Sequence, residues 1–113
     1  MILFRRGFPG TCQIIDVSEC VLIACVDIKG KQTFIVNIYA PSSPKDKIVF
    51  FDDIINEVKE VSCEAIAVHG DFNCVLHNDL DIVSREKKHA ENIVSKYNDV
   101  LLECNLLDTW RLF

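Results

Sequence analysis

Residues 32–71, QTFIVNIYAPSSPKDKIVFFDDIINEVKEVSCEAIAVHGD, change their hydrophobic period twice, and those changes decide the fold class. From Gln32 to Ala40 the pattern alternates: Phe34, Val36 and Ile38 point to one face, and Ile35, Asn37 and Tyr39 to the other. This is a strand. At Pro41 the period lengthens. Ser43 stands as N-cap, Pro44 suits the first helical position, and Asp46 three residues after Ser43 completes a capping-box pattern. Ile48, Phe51, Ile55 and Val58, flanked by Ile54 and Val61, form an apolar stripe at helical spacing. The helix is expected over 44–61. A short apolar run, Ala65-Ile66-Ala67-Val68, then ends at His69-Gly70-Asp71-Phe72-Asn73-Cys74, which reads as a second strand meeting a polar loop. Two strands joined by a helix, if they share one sheet, run parallel with a right-handed crossover. Their carboxyl ends then lie on one edge, where open α/β sheets bind ligands. Tyr39-Ala40-Pro41 and Asp71-Phe72-Asn73 would face one crevice. The expected class is α/β.

Asp71 and Asn73, two residues apart, can both reach one phosphate or one metal-bound water. Asp and Asn also end strands simply by bonding their own backbone, and spacing alone does not separate the two readings.

Upstream, the pattern is β throughout. Ile2-Leu3-Phe4 is a short strand-like run closed by Arg5-Arg6-Gly7 and Pro9-Gly10, and Thr11 to Val17 is a second strand. Cys20 to Ile28 is almost wholly apolar, as for a strand covered on both faces. Lys29-Gly30-Lys31 forms a tight turn into the strand at Gln32, so the first forty residues read as antiparallel. Downstream, a polar loop from His77 to Ser84 leads to a helix from about Arg85 to Cys104, with Ala90, Ile93, Val94, Tyr97, Val100, Leu101 and Cys104 on its apolar stripe. Asn105 ends it.

The totals set limits. A chain of 113 residues with 50% hydrophobic content is one ordinary domain. No apolar run is long enough to span a membrane, and the first residues lack a signal peptide's apolar core, so an intracellular place, cytoplasm or nucleus, is expected. Six cysteines without a C-x-x-C pair or zinc spacing imply a reducing compartment and no disulfide framework. Residues 1–40 carry four bases and three acids; residues 41–113 carry eight bases and fourteen acids. That balance gives no support for a free-standing DNA-binding module.

Four segments in order carry a resemblance: Asn37-Ile38-Tyr39-Ala40-Pro41; Gly70-Asp71-Phe72-Asn73-Cys74-Val75-Leu76; Leu80-Asp81; and Leu107-Asp108-Thr109-Trp110-Arg111. Together they resemble the endonuclease/exonuclease/phosphatase superfamily, most closely the endonuclease domain of LINE-type (non-LTR) retrotransposon polyproteins. Met1 to Arg6 is similar to the strand after that domain's glycine-rich turn. The resemblance implies a magnesium-dependent phosphodiesterase on a two-sheet α/β sandwich, of which residues 1–113 make about half. Carried over, Asp71 activates the attacking water or protonates the leaving oxygen, while Asn73 and Tyr39 contact the scissile phosphate. The implied partner is DNA, with a reverse transcriptase domain in the same polyprotein and no membrane. Asp81 matches the family but equally serves to fix a loop, and Ile82 stands where Arg usually follows. His69, His77 and His89 have no carboxylate spaced to make a ligand set.

The family's catalytic Asn and metal-binding Glu, which precede a segment like Ile2-Leu3-Phe4, have no counterpart in residues 1–113, and neither does its closing Ser-Asp-His motif. Such groups act as a unit. The isolated chain is therefore expected not to cut DNA, and to expose sheet surface that favours self-association. Two alternatives remain: a phosphatase or deadenylase of the same superfamily, and a non-catalytic scaffold.

Overall fold

A computed structural model describes residues 1–62, 65–74 and 91–109. The expected loop 77–84, the first residues of the second helix, Cys63, His77, Asp81, His89 and Trp110-Arg111 lie outside the described residues. The elements run β1 (Thr11–Val17), β2 (Val21–Ile28), β3 (Lys31–Tyr39), α1 (Pro44–Glu60), β4 (Ala65–Asp71) and α2 (Glu91–Glu103). The class is α/β, with a four-stranded mixed sheet in the order β1-β2-β3-β4 and two described helices. Two compact units result: Met1–Ala40 with Val61–Phe72, and Pro41–Glu60 with Asn73–Phe113.

In the sheet unit, β1, β2 and β3 are antiparallel neighbours and β4 adds parallel to β3. The central strand β2 is buried on both faces, as its unbroken apolar run requires: Val21 and Ile23 on one, Ala24 and Val26 on the other. Val36 and Ile38 of β3 stand beside Ile23 and Val21 in register and are buried on that same face. Between β2 and β3 the chain turns through Lys29 (φ 54) and Gly30 (φ 80), the two left-handed residues that match a hairpin's twist. Asp27 Oδ1 accepts from the Gly30 N–H at 2.9 Å. At the outer edge, β1 is exposed along its whole length, and a bulge between Ile14 and Asp16 interrupts its register.

The strand expected at Ile2-Leu3-Phe4 does not form. Instead Phe8 N–H bonds Arg5 O at 3.0 Å, Gly7 takes φ 82, and the Phe4 and Phe8 rings pack at 4.7 Å. Gly7 and Pro9 favour a turn, and the aromatic pair gives Phe4 a partner within its own segment.

In the helical unit, α1 begins as its cap residues require: Ser43 O accepts from Lys47 N–H at 3.0 Å, and Ser43 Oγ stands 3.5 Å from Asp46 N. Its buried stripe is Lys47, Phe51, Ile54, Ile55 and Val58. Lys47 thus takes the place expected for Ile48, which is half-buried. On α2, Ile93, Tyr97 and Val100 are buried, with Tyr97 against Phe51 at 6.0 Å between ring centroids. Lys59–Glu103 and Lys96–Asp52 ion pairs also join the two helices. Asn105, at φ 51, ends α2 as expected: Leu106 N–H reaches Leu101 O at 2.7 Å and Asn105 N–H reaches Leu102 O at 3.2 Å, closing the last turn from beyond the helix.

Candidate functional site

Parallel pairing sets Tyr39 directly beside Asp71, and Asn37 directly beside His69. Residues paired in register share a face of the sheet, with neighbouring strands about 4.8 Å apart. One face therefore ends in a block of four polar side chains: Asn37 and Tyr39 on β3, His69 and Asp71 on β4. Tyr39 is 62% exposed, and His69 and Asp71 are exposed as well. The ladder continues one step beyond Tyr39, because Ala40 N–H donates to Asp71 O at 2.8 Å. On the other side, Tyr39 N–H donates to Cys20 O at 2.8 Å. Both backbone positions are thus held while the side chains remain open to solvent.

Gly70 makes this register possible. It lies opposite Ile38 with φ 131, and a Cβ there would fall 1.9 Å from Ile38 O. No side chain fits between the two strands at this level, so glycine is the residue that lets β4 pair up to Asp71. The reason for glycine here is steric.

Asn73 belongs to the helical unit, by the division of the chain at Phe72. Its backbone is left-handed at φ 46, a conformation Asn tolerates better than most residues. Lys47 Nζ donates to Asn73 O, and Lys47 is 2% exposed. A lysine on a helix's buried stripe is unusual unless its ammonium is satisfied, and the Asn73 carbonyl supplies an acceptor. Sequence reasoning missed this residue. The signal available was a lysine at helical spacing from Phe51, Ile54 and Val58. Cys74, next in the chain, is half-buried with Sγ 4.0 Å from Ile93 O.

Tyr39 and Asp71 are therefore brought together as register neighbours, while Asn73 is held by Lys47 two residues farther along the chain. Asp81 lies outside the described residues. A carboxylate beside a phenol, both exposed at the carboxyl ends of parallel strands, can accept one proton and donate one hydrogen bond to a ligand anion. Magnesium prefers one or two carboxylates completed by water and substrate phosphate. Asp71 offers one such oxygen donor, but among the described residues no three His, Cys, Asp or Glu side chains gather as a metal-binding group. The five described cysteines are free thiols. Among the described residues no helix is long and apolar enough to cross a membrane.

No protein-family model matches the chain, and no curated protein is significantly similar to it.

Proposed function

We propose that this chain is part of a phosphodiesterase of the endonuclease/exonuclease/phosphatase type, a DNA-nicking endonuclease of the non-LTR retrotransposon kind, with Tyr39, Asp71 and Asn73 as its phosphate-handling residues. The observation that carries the reading is the pairing of Tyr39 with Asp71 at the carboxyl ends of two parallel strands. In-line attack on a phosphodiester needs a carboxylate to take or return a proton, and donors for the charge that grows on the phosphate oxygens. Asp71 fills the first role. The Tyr39 hydroxyl and the Asn73 amide fill the second, and Lys47 steadies the Asn73 backbone from which that amide extends. No step is assigned to a metal; of the three residues, Asp71 alone carries a carboxylate. The sheet would be half of a sandwich, a reading that the exposed edge strand β1 favours: Ile14 and Val17 are 62% and 64% exposed. The same exposure also favours a scaffold that associates through its sheet. A phosphatase or deadenylase would use the same three residues on a different ester.

The test is a titration of isotope-labelled chain with a short DNA bearing one non-hydrolysable phosphorothioate linkage, followed by NMR. Shifts at Tyr39, Asp71 and Asn73, weakened in Tyr39→Phe, are expected. Saturating DNA that moves none of the three would remove the reading. Nicking by the pure chain is not expected; nicking that disappears in Asp71→Ala would show the chain active alone.

A further inference from the structure

The four bases of residues 1–40 are Arg5, Arg6, Lys29 and Lys31, spread along the sequence in two pairs. The fold gathers them. Lys29 and Lys31 stand on the β2–β3 turn, and the Arg5–Phe8 turn leads through Pro9 and Gly10 into β1, whose first residue, Thr11, pairs with Asp27. Segment 8–10 is packed against that hairpin: a Cβ on Gly10 would lie 2.2 Å from Asp27 O and 2.8 Å from the Phe8 ring. Both turns are thus at one end of the sheet. Along β3 this end is roughly 26 Å from Tyr39, at about 3.3 Å per residue over eight steps.

All four bases are exposed, and among the described residues none forms an ion pair or a side-chain hydrogen bond. The one acid of this end, Asp27, has an oxygen engaged by Gly30 N–H. The chain's other eight bases lie in residues 41–113, among fourteen of its 17 acids.

We propose that this end of the sheet is a nucleic-acid-binding surface, distinct from the Tyr39–Asp71 end, that holds a phosphate backbone. Unpaired guanidinium and ammonium groups on two adjoining turns can neutralise successive phosphates, and each guanidinium can fork two phosphate oxygens. Phe4, 39% exposed beside Arg5, offers an aromatic ring against which a base can pack. A membrane surface, which the exposed Met1 and Leu3 beside Arg5-Arg6 would also suit, is the alternative that the vesicle arm of the test separates.

The experiment is fluorescence anisotropy of the whole chain with a labelled oligothymidylate over a series of salt concentrations. Binding is expected, with a log–log salt slope of about −3, from four contacts at about 0.7 per phosphate on a single strand. Arg5→Glu with Arg6→Glu should weaken binding at least about tenfold at low salt, as should Lys29→Asn with Lys31→Gln. Arg5→Lys with Arg6→Lys should stay within about twofold, since charge is the main term. Lys45→Gln with Lys59→Gln, the same loss of charge outside the two turns, should stay within about twofold of the parent. The proposal is overturned by a flat salt response, by neutralised turns that bind as well as the parent, or by affinity that follows Lys45 and Lys59 instead. Binding to phosphatidylserine vesicles without binding to the oligonucleotide would overturn it too.

Discussion

The two ends of one sheet are built from the same strands and have opposite chemistry. At one, two parallel strands stop side by side and present Asn37, Tyr39, His69 and Asp71 on a single face. At the other, an antiparallel hairpin and the preceding turn present Arg5, Arg6, Lys29 and Lys31. The polar end depends on long-range pairing, because β3 and β4 are separated by the whole of α1. The basic end depends on local turns, each closed within a few residues. The first should be brittle and the second tolerant.

The same substitution at the two ends gives the largest contrast. Gly70→Ala drives a Cβ into the Ile38 carbonyl and should cost about 3 kcal/mol or more, measured by denaturant unfolding, with loss of amide protection along β4. Gly30→Ala meets no atom within 4 Å and suffers only the left-handed backbone, so about 1 kcal/mol is expected. Equal costs would break the distinction between a packed end and an open one.

Lys47→Met probes what holds the Asn73 turn. Losing the hydrogen bond to the carbonyl destabilises, and relieving a buried ammonium stabilises; the two should offset to within about 1 kcal/mol. Faster amide exchange at Asn73 and Cys74, with global stability little changed, is the expected signature. A large loss of global stability would instead make Lys47 part of the general core.

Asp27→Asn keeps an acceptor for Gly30 N–H and removes the acid of the basic end. Stability should change by a few tenths of a kcal/mol at most, while oligonucleotide affinity rises modestly. A fall in affinity would place the phosphate track elsewhere.

The smallest effect belongs to pH. The hydrogen bond to Asp52 raises the Lys96 pKa, with burial opposing it, and burial raises that of the Cys104 thiol. Both groups hold their protons more tightly when folded. Their contribution is complete below the unfolded-state values and declines as pH rises through the folded ones. Thermal unfolding followed into the alkaline range should therefore show a shallow loss, reduced in Cys104→Ala. A loss on acidification alone would contradict it.

Much of this architecture was legible in the sequence because its cues are local. The almost wholly apolar run at 20–28 marked a strand buried on two faces. Lys29-Gly30 marked a hairpin turn, Ser43-Pro44 a helix start, and Asn105 a helix end. The failure at Ile2-Leu3-Phe4 is equally instructive: three apolar residues fit a strand, but the Gly7 turn and the Phe4–Phe8 contact prevailed. Of the candidate site, the sequence pointed to Tyr39, Asp71 and Asn73. It could not show that Tyr39 and Asp71 would be register partners, nor that Lys47 would be buried with its ammonium on Asn73.

By itself, then, the sequence determined the class and the order of strands and helices, since side-chain period and turn chemistry act over a few residues. Tertiary structure decided the rest. It set the register of β4 on β3, which only Gly70 allows, and it drew two distant basic pairs to one end of the sheet. Both outcomes come from chain segments meeting across long sequence separations, where no local periodicity carries the information.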